Sequence, residues 1–150
     1  SGGRYDALAS DGRTTYPGVG ISLGVSRLMG VLAGRGLVTA SRSVPTCVLV
    51  AVTDESDRVR SEAVAAALRS RGIPVEVAPA ADKFGKQIRY ADRRGIPFVW
   101  FPSGSASDTQ DSVKDIRSGH QVAADAQVWS PPEEDRHPQV QLAQPEETTS

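Results

Sequence analysis

Short apolar runs alternate with helical patterns between Cys47 and Trp129, and this alternation constrains the fold more than any other feature. The runs CVLVAV, IPVEVAP and IPFVWF have the length of buried strands. The segments between them, residues 56–71 and 83–94, carry apolar residues at helical spacing, and a glycine follows each of them, Gly72 or Gly95. Because helical crossovers join the three strands, we expect the strands to be parallel and the fold to be α/β.

Two shorter runs after the third strand predict a closing hairpin. SVKDI and QVAAD flank the tight turn RSGH. We therefore predict an α/β fold in which a mixed sheet has three parallel strands, flanking helices and a closing hairpin. Phe98, Trp100 and Phe101 cannot all face one side of the third strand, so we expect Trp100 or Phe101 to be exposed for packing on another domain or subunit. The helix predicted within residues 56–71 has an apolar stripe that we expect to be buried, formed by Val59, Ala63, Ala66, Ala67 and Leu68.

Residues 1–36 have a different pattern, in which a glycine-rich strand precedes a helix. The strand lies in YPGVGISLG, and the helix has its apolar positions between residues 25 and 32. Glycine lacks a Cβ, so a flat ligand or another backbone can approach such a strand closely. Arg27 would then reach over that surface to stack on a base or pair with a phosphate. Close packing of the strand explains the glycines equally well, and the pattern is not the dinucleotide-binding fingerprint.

Composition bounds the remaining possibilities. The net charge of −1 provides no global field toward nucleic acid or an anionic membrane. A single cysteine, Cys47, excludes an internal disulfide, and its place beside an apolar run predicts burial. No apolar stretch approaches the roughly 20 residues of a membrane span, and we expect a cytoplasmic location. We predict a linker at residues 37–46 and, from five acids against one arginine, a disordered acidic tail at residues 131–150.

Four stretches of the sequence resemble one family, the histidyl-tRNA synthetases, which are class II aminoacyl-tRNA synthetases. SGGRYDAL resembles the second histidine-specific signature, and PGVGISLGVSRL resembles motif 3 of the class. KFGKQIRYADRRGIPFVWF and VKDIRSGHQV resemble the C-terminal anticodon-binding domain. The resemblance implies that residues 1–36 end a catalytic domain and that residues 47–130 form an anticodon-binding domain.

This resemblance implies a histidine–tRNA ligase, which attaches histidine to tRNA through histidyl-adenylate at the expense of ATP with Mg²⁺. Its implied partners are histidine tRNA, histidine and ATP, and the full-length protein is expected to be a homodimer. Arg27 is the implied catalytic residue and lies on ATP, with Gly24 giving it room. The implied histidine and adenylate pocket is formed by Gly2, Gly3, Arg4 and Tyr5. The other class II motifs are absent from these residues, so we expect no aminoacylation by this chain alone.

The helix at residues 83–94 carries five cations against one anion, which predicts phosphate contacts. Single-stranded loops are read by base edges and by stacking, and the resemblance places the reading surface on the sheet and its hairpin. The predicted tRNA-binding residues are Lys83, Lys86, Gln87, Arg89, Lys114, Arg117 and Gln121. His120 stands where the family often has glutamate, and no Cys or His lies at metal-ligand spacing from it, so we predict no metal site.

Two other interpretations remain open from the sequence. The first is a synthetase-like tRNA sensor or regulatory protein without ligase activity. The second is a flavodoxin-like domain that binds a small molecule, with residues 1–36 as an appendage. The loops TDESD and APAAD disfavour the second interpretation, because they are acidic or plain and offer no phosphate cradle.

Overall fold

Two units make up the chain in the computed structural model, which describes residues 2–6, 8, 10–104 and 110–143. One unit comprises residues 1–39 and 142–150, and the other comprises residues 40–141. Parts of the sequence discussed above lie outside the described residues, namely residues 105–109, between the third predicted strand and the predicted hairpin, and residues 144–150 of the acidic tail.

The first unit is built on a two-stranded ribbon and a helix. Strand β1 (Gly2–Arg4) pairs antiparallel with β2 (Val19–Ile21), and helix α1 (Val25–Gly34) follows. This confirms the predicted strand and helix. The apolar side chains of the unit are largely exposed, to 87% at Val19 and 81% at Ile21.

The second unit contains a five-stranded sheet in the order β5 (Val75–Val77), β4 (Val48–Val50), β6 (Phe98–Phe101), β7 (Ser112–Asp115) and β8 (Gln121–Ala123). Its crossovers are helices α2 (Arg58–Ser70) and α3 (Phe84–Arg94). Strand β4 is parallel to β5 and β6, whereas β6, β7 and β8 are successively antiparallel. The predicted fold, with three parallel strands and a closing hairpin, is confirmed. The other described elements of the chain are β3 (Val38–Ala40), α4 (Glu133–Arg136) and β9 (Val140–Leu142).

Both faces of this sheet are covered, so the aromatic residues of β6 are buried. Trp100 is fully buried and Phe101 is 9% exposed, and the expectation that one of them would be exposed was wrong. On one face the Trp129 ring packs edge-on against the Trp100 ring, with centroids 5.6 Å apart. On the other face Phe84 packs in the same way on Phe101 at 4.7 Å. The predicted burial of Cys47 is confirmed, and burial raises the pKa of its thiol to about 12.

Helix α2 buries Leu68, as predicted, but the rest of its buried stripe differs from the prediction. Its buried residues are Ser61, Val64, Ala65 and Leu68, whereas Val59 is 81% exposed and Ala63 and Ala66 are also exposed. The hydroxyl of Ser61 donates to the carbonyl of Ala51 at the end of β4 and helps to set the helix phase. Alanines are too small for their pattern alone to identify the buried side.

The predicted linker and acidic tail contain regular structure. Strand β3 lies in the former and pairs with β9, which lies with α4 in the latter. Arg42 explains part of this order, because its guanidinium donates to the carbonyls of Val44, Pro45, Asp135 and Arg136. The expectation of disorder over residues 131–143 was therefore wrong, since a count of acids takes no account of distant partners.

Candidate nucleic-acid interface

A cleft of about 210 Å³ opens where β4 and β6 end, and we call it the hairpin cleft. Open α/β sheets bind ligands outside the carboxyl ends of their parallel strands. Its walls are formed by residues that follow β4 and β6, by the start of α2, by one flank of α3 and by the hairpin. Its lining includes the side chains of Arg60, Phe84, Ile88, Ser103, Ser112 and Gln121.

A polar network forms one wall of the hairpin cleft. The carboxylate of Asp111 accepts hydrogen bonds from the Ser103 backbone N–H at 2.7 Å and from the Trp100 indole N–H at 2.9 Å. Arg60 donates to the Ser103 hydroxyl and lies 3.4 Å from Asp111. Burial alone would raise the pKa of Asp111, but these hydrogen bonds and the Arg60 charge outweigh it and hold that pKa below its ordinary value. Asp111 thus stays ionised and holds the half-exposed Arg60 at the rim.

An apolar ring and an amide also line the hairpin cleft. Phe84 is 42% exposed although its ring packs on Phe101. Gln121 donates from Nε2 to the Ser112 hydroxyl at 2.9 Å, which leaves its carbonyl oxygen for a ligand. An exposed ring beside a guanidinium and an amide can stack on an unpaired base and hydrogen-bond its edge.

Predicted cations lie along α3 and the hairpin. Lys83 and Arg89 are exposed, and their side chains make no hydrogen bond or ion pair with any described residue. Lys86 is exposed but pairs with Asp82 at 2.8 Å. Lys86 and Arg89 line a groove of about 520 Å³ on the flank of α3 that faces away from the hairpin cleft. Lys114 lies directly opposite Gln121 across the β7–β8 ladder, so both side chains project from the same face of the sheet.

Gln87 is not available to RNA, and its prediction as a tRNA-binding residue was wrong. The residue is 4% exposed. Its side-chain oxygen accepts from the Val52 N–H at 2.9 Å, and its Nε2 donates to the Val52 carbonyl at 2.7 Å. Gln87 therefore completes the backbone hydrogen bonding of the chain just beyond β4.

Arg117 also has a structural role that its prediction as a tRNA contact did not include. Its guanidinium makes two hydrogen bonds of 2.7 Å to Asp135 and further bonds to Asp115. It also lies 5.4 Å from the centroid of the Phe98 ring. The two carboxylates raise the pKa of Arg117, so the guanidinium stays positively charged, and their negative charges balance it. We therefore remove Arg117 from the candidate interface.

In the first unit, the predicted pocket residues occupy both faces of the β1–β2 ribbon. Gly3 lies opposite Gly20, and Arg4 lies opposite Val19. The backbone N–H of Tyr5 continues the ladder by donating to the Gly18 carbonyl at 2.7 Å. The Arg4 guanidinium pairs with Asp6 at 2.7 Å. Gly2 lies opposite Ile21 at the end of the ribbon.

Gly24 and Arg27 lie at the start of α1, and both are exposed. Gly24 is the residue before α1, and a Cβ placed on it would meet only the Cβ of Arg27, at 3.6 Å. The Arg27 side chain is exposed and makes no hydrogen bond or ion pair with the described residues. A free guanidinium of this kind can bind a phosphate.

Sequence reasoning missed the residues that shape the hairpin cleft, namely Arg60, Phe84, Ser103 and Asp111. Phe84 belongs to the apolar pattern of its helix, and Ser103 and Asp111 lie within the polar stretch PSGSASDTQD, residues 102–111. The usable signal was topological, because all four follow the ends of parallel strands or begin the next helix. Within the described residues, no three potential metal ligands cluster together, and no helix has the length and apolarity to cross a membrane.

Histidine–tRNA ligases are prominent among the proteins similar to this chain. The ligase of Cutibacterium acnes is 66% identical over 142 residues, which cover 93% of this chain and 31% of that protein. The ligase of Micrococcus luteus is 58% identical over 96% of this chain and 32% of its own length. The chain thus spans about a third of these relatives, and the resemblance to histidyl-tRNA synthetases is confirmed.

Structural similarity and a family model agree with these relatives. The crystal structure of histidyl-tRNA synthetase from Nostoc sp. PCC 7120 superposes with a TM-score of 0.55 and 31% identity, covering 83% of this chain and 31% of that chain. A family model described as the anticodon binding domain matches residues 46–124. This range contains the sheet, both crossover helices and every described residue of the hairpin cleft. The chain belongs to the anticodon-binding domain family.

Proposed function

We propose that this chain is the C-terminal portion of a histidine–tRNA ligase and that its second unit binds the anticodon loop of histidine tRNA. The observation that carries the proposal is the position of the hairpin cleft beside a helix with free cations. The relatives named histidine–tRNA ligase support the choice of tRNA. The comparisons give no support to a tRNA sensor, a regulatory protein or a flavodoxin-like domain.

Each part of the interface has a distinct task in this proposal. Phe84 stacks on an unpaired base, and Arg60 and Gln121 hydrogen-bond base edges in the hairpin cleft. Lys83, Arg89 and Lys114 bind phosphates, which position the loop without reading its sequence; Lys86 joins them when RNA displaces Asp82. With a net charge of −1, the chain owes its attraction for RNA to this local arrangement.

The first unit contributes to the ligase active site in the same proposal. Arg27 binds the phosphates of ATP, which enters with Mg²⁺ as substrate, and Gly24 leaves room for the nucleotide. Gly2, Gly3, Arg4 and Tyr5 belong to the histidine and adenylate pocket. Phosphoryl chemistry needs charge stabilisation from several sides, so the remaining groups must come from outside these residues. The complete ligase is a cytoplasmic homodimer in this proposal.

Binding of an anticodon stem-loop tests the RNA part directly. The matched histidine-tRNA stem-loop and a scrambled-anticodon control are titrated with the chain across a salt series. We expect a preference for the matched loop that persists as salt rises, because base contacts release no counterions. Arg89→Ala should weaken both loops and lower the salt slope by about 1, whereas Arg35→Ala, an exposed arginine of the first unit, should change neither. Equal binding of both loops that vanishes with salt would contradict base recognition.

A further inference from the structure

The two aspartates of the loop TDESD have different roles. Asp54 has an extended backbone and caps the short 3₁₀ turn Glu55–Asp57. Its carboxylate accepts from the backbone N–H of Ser56 at 2.9 Å and from the Ser56 hydroxyl at 2.7 Å. Asp57 stands directly before α2, but its backbone is helical, with φ −88° and ψ −3°, and its side chain makes no capping hydrogen bond. A capping side chain requires a non-helical backbone, so the Asp57 carboxylate is left free.

This free carboxylate lies in the wall of the hairpin cleft. Asp57 lines the cleft together with Arg60, which is one turn further along α2. A Cβ placed on Gly104 would lie 4.0 Å from the Asp57 carboxyl carbon and 4.0 Å from Arg60 Cδ, so both side chains border the same point of the wall. Asp57 nevertheless makes no side-chain hydrogen bond or ion pair with Arg60 or any other described residue. The cleft thus presents an unpaired acceptor beside a donor.

A carboxylate in an RNA-binding cleft needs a specific reason, because it repels every phosphate. It is favourable only against a base edge that donates hydrogen bonds. The Watson–Crick edge of guanine has adjacent N1–H and N2–H donors, which match the two oxygens of a carboxylate, and its O6 accepts from a guanidinium. Adenine and cytosine offer one amino group beside an acceptor nitrogen, and the N3–H of uracil lies between two carbonyl oxygens. Each of these three bases would place an acceptor against the carboxylate.

We propose that Asp57 is a specificity-determining residue of the hairpin cleft, which selects guanine by accepting from its N1–H and N2–H while Arg60 donates to O6. The proposal rests on the proposed function and makes it more specific, because it names the base that the cleft takes. Arg60 keeps donors for O6, since only its Nη2 is used by Ser103 and Asp111. Asp57 contributes selectivity by disfavouring every other base.

Exchange of guanine for inosine in the matched anticodon stem-loop tests the proposal. Inosine lacks only the N2 amino group, so the charge of the RNA, O6 and N1–H are kept. With the unsubstituted chain, exchange at one position of the loop should raise Kd about tenfold. With Asp57→Ala the same exchange should change Kd less than about twofold. Glu62→Ala removes an exposed carboxylate from the same helix outside the cleft, and as the matched control it should keep the tenfold difference.

A stem-loop without guanine in its loop provides a second measurement. Asp57→Ala should lower its Kd about twofold at low salt, because an anion is removed from the RNA-binding surface. The same variant should bind the matched loop more weakly than the unsubstituted chain does. A purely structural role of Asp57 would weaken the binding of both loops. Asp57→Ser keeps a side chain well suited to the start of a helix, and this second variant should lose the discrimination equally.

Two results would overturn the assignment while leaving RNA binding intact. They are equal Kd values for guanine and inosine at every position with the unsubstituted chain, and an unchanged guanine-to-inosine ratio in Asp57→Ala and Asp57→Ser. Equal binding of the matched and scrambled loops by the unsubstituted chain would instead reject the proposed function. Thermal denaturation of each variant ensures that folded proteins are compared.

Discussion

The two ends of the five-stranded sheet use arginine in opposite ways. At the carboxyl ends of β4 and β6, Arg60 stands at the rim of an open cleft. At the opposite end, Arg42 and Arg117 are bound to the segment around α4 through the carbonyl and carboxylate groups of Asp135. Arg71 binds the segment before α4 through the carbonyls of Ala126, Val128 and Trp129. Whether an arginine stabilises the fold or is available to a ligand therefore depends on the partners that the topology places beside it.

We call the end of the sheet at which Arg42 and Arg117 bind the segment around α4 the closed end, and the end with the hairpin cleft the open end. Arg42→Ala removes contacts at the closed end and should have the largest effect on stability. The side chain donates to four carbonyl groups, so its loss leaves several acceptors partly buried without partners. We expect the free energy of unfolding to fall by about 3 kcal/mol, measured by urea denaturation. Arg89→Ala on α3 is the control and should change it by less than about 0.5 kcal/mol. A loss no larger than that of the control would show that the C-terminal segment does not depend on Arg42.

Gln87→Ala should come next, because it removes both hydrogen bonds to the backbone of Val52. We expect a loss of about 2 kcal/mol in the free energy of unfolding, since a buried N–H and C=O lose their partner. Affinity for the stem-loop should not change at temperatures where the variant is folded. Weaker RNA binding by a fully folded variant would restore Gln87 to the interface.

Asp111→Asn tests whether the hairpin cleft at the open end of the sheet depends on the carboxylate that holds Arg60. An amide oxygen cannot accept all the bonds that the carboxylate accepts from Ser103 and Trp100, and it no longer attracts Arg60. We expect a loss of about 1 kcal/mol in stability and a reduced preference for the matched stem-loop. Thr46→Val removes a nearly buried hydroxyl that donates to Glu76 at 3.0 Å, outside the hairpin cleft, and is the control for a purely structural effect. Unchanged loop preference in Asp111→Asn would remove Arg60 from base recognition.

The smallest expected effect is a pH dependence at Glu55, just before α2. Hydrogen bonds from Arg58 and from the Ala81 backbone N–H lower the pKa of Glu55 to about 2, from an ordinary 4.5. A carboxyl group whose pKa is lowered by folding stabilises the fold above its ordinary pKa, and the stabilisation disappears as pH falls from about 4.5 to about 2. Glu55→Gln should therefore lose less stability than the parent chain over that range, measured by thermal denaturation. Parallel curves for the two proteins would contradict the pKa assignment.

Prediction from sequence succeeded where apolar runs determine the outcome and failed where long-range partners do. The strands, crossovers and hairpin follow from runs such as CVLVAV, which can only be buried. The role of Gln87 depends on Val52, 35 residues away, and that of Arg117 on Asp135, 18 residues away. For helix α2 the prediction placed Leu68 correctly but not the rest of the buried stripe, because the alanines fit either phase. The cleft was missed because Phe84 looks like a core residue until the sheet order is known.

The central claim is that cations on the hairpin face and on α3 bind RNA while the arginines at the closed end hold the fold. The most direct test compares Lys114→Ala with Arg117→Ala in two assays, stem-loop affinity across a salt series and urea denaturation. We predict that Lys114→Ala lowers the affinity and the salt slope by about 1 with stability unchanged. Arg117→Ala should lower stability by about 1 kcal/mol with the affinity of the folded protein unchanged. The reverse assignment of the two effects would contradict the account.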